Sequence, residues 1–229
     1  MGKGELTRQA ILERATALAS RHGLEGVSIG HLAEQLGLSK SGLFAHFGSK
    51  EALQVEILRF AADRFVENVV RPALAQPRGE PRVRAIFERW IAWDRSHSVP
   101  GGCVFVAAAT ELDDRPGPAR DELVRLQRDW LDSIAIAFRS GITEGHFRAD
   151  CDAEQFAYDL YAVALGLHHA RRLLRDPAAD ARARASVEAL LKAARRTPRP
   201  APARAARRGV ARRGAARTRP SSSRPRRSA

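Results

Sequence analysis

The sequence predicts an all-α protein, with an N-terminal helix-turn-helix unit followed by a larger helical domain. Three observations carry that prediction. Apolar residues recur at three- and four-residue spacing in one segment after another, no segment alternates apolar and polar residues as a half-buried strand does, and Pro or Gly punctuates the chain at intervals suited to helices. No internal repeat is present.

Taken in order, residues 7–22 place Ile11, Leu12, Ala15, Leu18 and Ala19 on one face, with Thr7 as the cap and Gly23 as the stop. Residues 28–50 then hold two short helical patterns, Ile29, Leu32, Ala33 and Leu36, followed by Leu43 and Phe47. Gly37 between them can take the left-handed conformation that ends one helix, and Ser39 can cap the next by accepting a free backbone N–H. So short a turn makes the two helices cross steeply, which is helix-turn-helix geometry. With Leu43 and Phe47 facing inward, Ser41 and Ala45 point outward, flanked by Gly42 and Phe44. That outer face is small and polar enough to enter a DNA major groove.

Ser49 caps a further helix from Lys50 to about residue 70, ended by Pro72. Its first turn lies beside the second short helix, while Ile57, Leu58, Phe60, Ala61 and Phe65 serve whatever packs beyond. After a break at residues 72–81, helices are predicted at 83–95, 102–112, 120–145, 153–175 and 178–196. Their separators are Pro100-Gly101, Pro116-Gly117-Pro118, residues 145–152, and Asp176-Pro177.

The chain has 229 residues and a formal net charge of +13, which suggests an acidic partner, but the charge is unevenly spread. Residues 192–229 hold 14 Lys and Arg and no acid, leaving 25 bases against 26 acids in residues 1–191, a net of −1. Any case for specific DNA binding by the body therefore rests on local pattern and not on bulk charge. Residues 197–229 are rich in Pro, Ala, Arg, Gly and Ser, with Val210 their only large aliphatic side chain, and they predict a disordered basic tail. Such a tail beside a DNA reader favours a nonspecific DNA-binding arm over an inert extension or a membrane-surface contact. Two cysteines, Cys103 and Cys151, and a start, MGKGELTRQA, without an apolar signal segment point to a reducing cytoplasm. The most apolar runs, at residues 99–109 and 158–167, are too short to span a bilayer, so no membrane partner is expected.

Residues 7–53 resemble the DNA-binding domain of the tetracycline-repressor (TetR) family of transcriptional regulators. The resemblance rests on Thr7-Arg8 with Ile11, Gly23, Val27-Ser28-Ile29, Leu32-Ala33, Gly37-Leu38-Ser39-Lys40, Leu43-Phe44, His46-Phe47 and Ser49-Lys50-Glu51-Ala52-Leu53. It implies three parts: a DNA-binding domain over residues 1–52, a helical effector-binding and dimerisation domain over 53–196, and the tail from 197. It also implies DNA contacts by Ser28, Ser39, Lys40, Ser41, Gly42, Phe44, Ala45, His46 and Lys50. Ser28 at a helix start suits a phosphate. Lys40, Ser41 and Gly42 occupy groove-facing positions, Lys40 being able to bind guanine or a phosphate, and Ala45 offers a methyl to a thymine. His46 and Lys50 are expected as backbone anchors. The family usually has Tyr, bonded to a phosphate, at the position of Phe44, so that bond is missing here.

The implied function is a ligand-responsive repressor that binds a palindromic operator as a homodimer and is released by a small, largely apolar effector. The last two helices would form the dimer bundle, where Ala162, Ala164 and Gly166 permit close approach. The effector pocket is expected among Trp90, Trp93, Cys103, Phe105, Thr110, Trp130, Ile134, Phe138, Phe156, Tyr158 and Tyr161. No cofactor or metal is expected, because His146, Cys151 and the His168-His169 pair lack ligand spacing. No catalytic residues are expected either, since Cys103 has no His and Asp in a triad order. Redox sensing through Cys103 is a minor expectation. The rival reading is a DNA-organising protein that binds largely nonspecifically through its tail.

Overall fold

The computed structural model describes residues 3–196, with side chains from residue 8 onward. Ten α-helices make up those residues: α1 (Lys3–His22), α2 (Ile29–Gln35), α3 (Lys40–Phe47), α4 (Lys50–Phe65), α5 (Arg71–Leu74), α6 (Glu80–Asp94), α7 (Val104–Leu112), α8 (Pro118–Thr143), α9 (Ala153–Arg172) and α10 (Ala179–Ala194). The only β pairing among them is one isolated bridge between Phe147 and Arg195.

Helix starts follow side-chain chemistry. Ser28, Ser39 and Ser49 each accept a backbone N–H three residues on, from His31, Gly42 and Ala52, all at 3.0 Å. Asp152 accepts two, from Glu154 and Gln155. Gly37 sits at φ +64° and closes α2 with a Schellman pair, in which Leu38 N–H reaches the Ala33 carbonyl and Gly37 N–H that of Glu34.

Two boundaries depart from the sequence reading by more than the others, which shift by up to three residues, α9 for instance ending at Arg172 and not at residue 175. The first helix already includes Lys3, so Thr7 lies inside it and not at its start. Pro72 does not end the fourth helix, because Val66–Val70 form a π turn that runs on into α5. In a regular helix the Pro72 ring would press on the Asn68 carbonyl and leave it without a donor. Widening the turn, so that Arg71 N–H reaches the Val66 carbonyl, carries the helix past the proline. The basic tail, residues 197–229, lies outside the described residues.

Two apolar clusters fill the interior. One joins α1, α2, α3 and the first half of α4 to α7 and the start of α8, with Ile11, Leu32, Leu43, Ile57, Leu58 and Val104 all wholly buried. The other joins α6, α8, α9 and α10 around a stack of Phe147, Phe138 and Phe156. Packing does not break at residue 52: Leu53, Ile57 and Leu58 bury against α1 and α3, and Phe65, one further face along α4, belongs to the second cluster.

Candidate DNA-reading unit and cavity

Leu43 and Phe47 bury one side of α3, and that orientation leaves Ser41, Phe44 and Ala45 exposed, with Gly42 and His46 partly so. Phe44 is 51% exposed, unusual for an aromatic ring with no aromatic partner among the described residues. Lys40 is exposed at the first position of α3, and its stem lies over Gly30, where an added Cβ would come within 3.1 Å of Cε. The glycine thus makes room for the lysine. Ser39 Oγ lies 3.1 Å from Ser41 Oγ, so the two hydroxyls and the Gly42 N–H form one polar cluster at the helix start. Ser28 is exposed at the start of α2. Of the residues that the sequence singled out for DNA, Ser28, Ser39, Lys40, Ser41, Phe44 and Ala45 are thus exposed, and Gly42 and His46 partly so.

Lys50 is differently placed. Its ammonium donates to the Glu25 carboxylate at 2.7 Å and to the Glu25 backbone carbonyl at 3.0 Å. Gln54 bonds the same carboxylate at 2.8 Å. Lys50, with Gln54, holds the Glu25 carboxyl below the usual carboxylate range. The expected phosphate anchor is thus committed to a neighbour 25 residues away, for which a local sequence pattern carries no signal.

A cavity of about 320 Å³ lies between α4, α6, α7, α8 and α9, a volume in the range of small-molecule sites. Of the residues expected to line it, Trp90, Cys103, Phe105, Trp130 and Tyr161 do. Trp93, Thr110, Ile134, Phe138, Phe156 and Tyr158 do not. Trp93 stands edge-on to Phe65, and Ile134, Phe138 and Phe156 are core. Thr110 is exposed on α7, and Tyr158 is 67% exposed on α9. Helical spacing marks a residue as inward-facing, but it does not say whether the space ahead is filled by a neighbour or left open.

The wall that sequence reasoning missed comes largely from α4 and α8: Arg59, Ala62, Asp63, Phe65, Val66, Val70, Arg125, Leu126, Gln127, Asp129 and Ser133, with Val106 from α7. Val66 and Val70 reach it from the π turn. Within the lining Tyr161 OH donates to Gln127 Oε1 at 2.8 Å, and burial pushes the Tyr161 phenol up to about 12. Behind the lining residues Arg59 and Arg125, Glu122 accepts from Arg125 at 2.7 Å and from Arg59 at 3.2 Å, and these guanidinium groups hold its carboxyl below the usual range. Arg59 also bonds Glu56, which pairs with Arg8 of α1.

Burial pushes the Cys103 thiol up to about 11, so the reactive thiolate is disfavoured and the geometry gives no support to redox sensing there. The Cys103 N–H donates to Asp94 at 2.8 Å, and Asp94 is bonded by His168 at 2.8 Å and Arg171 at 2.6 Å. Burial opposes the Asp94 charge, but these partners hold its carboxyl below its ordinary value. His168 is therefore a partner of Asp94, and no group of metal-ligating side chains occurs among the described residues.

Residues 11–57 match the family described as bacterial regulatory proteins, tetR family, and residues 79–187 match the tetracyclin repressor-like C-terminal domain. The HTH-type transcriptional repressor AcnR of Corynebacterium efficiens is 39% identical over 70 residues, 31% of this chain, and the match spans only 37% of AcnR. The HTH-type transcriptional repressor KstR2 of Mycobacterium tuberculosis is 27% identical over 159 residues, covering 67% of this chain and 75% of KstR2. A TetR transcriptional regulator from Chloroflexus aurantiacus has the same fold, with a TM-score of 0.75 at 24% identity over 84% of this chain and 96% of that one.

Proposed function

The chain belongs to the tetR family of bacterial regulatory proteins, and we propose that it is a transcriptional repressor that binds a palindromic operator as a homodimer and responds to a small effector. The observation that carries this reading is the outer face of α3, which is polar at Lys40 and Ser41, open at Phe44 and Ala45, and fixed by buried Leu43 and Phe47. Such a face can place side chains against base edges in a major groove. The family is one of transcription factors, so an enzymatic role falls away.

One short helix reads few base pairs, so specificity needs two copies at half-sites roughly 34–36 Å apart, or a multiple of that. The outer face of α9 supports a dimer. Tyr158, Ala162, Leu165 and Gly166 are exposed at spacings that put them on one stripe, and an added Cβ at Gly166 would meet nothing within 4 Å among the described residues. Ala164 turns inward and serves the subunit core.

The cavity supports a largely apolar effector with a few polar groups, walled by Phe65, Trp90, Phe105, Trp130 and Tyr161 beside Arg59, Asp63 and Gln127. Helix α4 joins the two functions, since its first turn holds the segment before α2 and its second half forms the cavity wall. An effector that binds better to a state with the α3 helices off operator spacing shifts the population to it. A coupling of about 1–3 kcal/mol changes operator affinity several-fold to a hundred-fold. The reading places the protein in the cytoplasm with its DNA, and no described helix is long and apolar enough to cross a membrane. The tail serves as a nonspecific arm.

Exchanging Lys40 and Ser41 tests the reading. The expected result is a changed ranking of DNA sites. An equal loss at every sequence would mean that α3 positions the protein without reading bases, as in the rival DNA-organising role.

A further inference from the structure

The segment Gly23, Leu24, Glu25 enters the helix-turn-helix unit, and it is held by two helices that also form the cavity wall. From α7, Glu111 Oε2 accepts the Leu24 N–H at 2.7 Å and Oε1 accepts the Glu25 N–H at 2.6 Å. From α4, Lys50 and Gln54 bond the Glu25 carboxylate, and Lys50 also bonds its carbonyl. Glu25 is thus tied to α7 through its N–H and to α4 through its oxygens. Gly23 makes the approach possible, with φ at +74° and a position where an added Cβ would lie 2.6 Å from Glu111 Oε2.

The same two helices face each other across the cavity, α7 through Phe105 and Val106, α4 through Arg59, Ala62 and Phe65. Val106 is five residues from Glu111, about 7.5 Å along α7. An occupant of the cavity that altered the separation of α4 and α7 would move each helix largely as a rigid body. A segment bonded to both must take up that change, and Ser28, the cap of α2, is three residues further on. One carboxylate accepting two successive N–H groups is a charge-assisted contact with defined direction, suited to transmitting displacement.

We propose that Glu111 is a positioning residue through which α7 carries the state of the cavity to the DNA-reading unit. The proposal rests on the ligand-responsive reading above. Glu111 makes no contact with the cavity or the outer face of α3; it acts through the Leu24 and Glu25 backbone.

The test fills the cavity with a side chain in place of an effector. Ala62→Phe is made in the natural chain and in a Glu111→Ala chain, with helical content and melting checked for each. Affinity for the DNA selected by the natural chain is measured by fluorescence anisotropy. Hydrogen exchange of the Leu24 and Glu25 amides is followed without DNA. With Glu111 present, Ala62→Phe is expected to weaken binding about five- to a hundred-fold and to speed exchange at both amides. With Glu111→Ala, the further loss from Ala62→Phe should shrink to about two-fold. Glu111→Gln keeps the side-chain volume and one acceptor, and it should give an intermediate coupling even if Glu111→Ala melts early. A purely structural Glu111 would lower affinity in both backgrounds alike, so an equal factor for Ala62→Phe with and without Glu111 overturns the proposal and leaves the ligand-responsive reading standing. No effect of Ala62→Phe on affinity in the natural chain, with exchange at Leu24 and Glu25 also unchanged, overturns both.

Discussion

Restoring a hydroxyl at Phe44 should strengthen binding to every DNA. The ring is 51% exposed on the outer face of α3, at the position where the family resemblance implies a tyrosine bonded to a phosphate. Because the ring meets water rather than core, Phe44→Tyr should leave folding stability within about 0.5 kcal/mol of the natural chain. A hydrogen bond from a neutral donor to a charged acceptor contributes about 1.5–3 kcal/mol. At a wet surface the lower figure applies, about tenfold in affinity at each half-site. The added group is neutral, so it displaces no further counterion and the slope of affinity against salt should not change. Anisotropy titrations of a selected operator and a scrambled duplex at several salt concentrations measure all three quantities. Tighter binding to both duplexes with an unchanged salt slope is the expected result. No gain on either duplex would show that α3 does not bring residue 44 to the backbone, and a gain on the operator alone would show that the hydroxyl reads a base.

Other consequences of the structure are open to direct measurement. Phe138 is wholly buried, stacked 4.4 Å from Phe147 and 4.0 Å from Phe156, so Phe138→Ala should cost about 3–5 kcal/mol in urea unfolding. A loss under about 1 kcal/mol would contradict its place in the core. Arg195, with Arg84, brings the Glu80 carboxyl from 4.5 to about 2, against the opposing effect of burial. Because the folded value lies below the unfolded one, that stabilisation is present above about pH 4.5 and is lost as pH falls toward 2. The melting temperature of Glu80→Gln should therefore fall less between pH 6 and pH 3 than that of the natural chain. Ala162→Arg on the exposed stripe of α9 should convert a dimer of the 25.1 kDa chain to monomer in light scattering, with helical content kept. Deleting residues 197–229 should weaken binding to all DNA and flatten its salt dependence, with site preference surviving.

Most of the helix order was legible in the sequence because helices are local: caps such as Ser39 and Ser49, stops such as Gly23 and Gly37, and inward faces such as Leu43 and Phe47 are set by residues a turn apart. The π turn before Pro72 was not legible, because a proline inside a helical pattern is ordinarily its end. The outward residues of α3 follow from its inward ones by rotation alone. The commitment of Lys50 to Glu25 and of Glu111 to Leu24 and Glu25 depends on tertiary contacts over 25 to 87 residues, which one sequence does not reveal. The cavity was half legible for a related reason. Aromatic residues at helical spacing mark the interior, but Phe138 and Phe156 fill each other's space, whereas Trp90 and Trp130 face a gap bordered by α4.

The proposed function depends on two α3 helices reading bases at paired half-sites. Incubating the purified full chain with random genomic fragments, then sequencing those retained in the presence of excess competitor DNA, measures this directly. The prediction is enrichment of an inverted repeat whose half-sites lie one helical turn, or a multiple of it, apart. Retained fragments with no sequence enriched over the input would contradict it and leave a protein that binds DNA through charge alone.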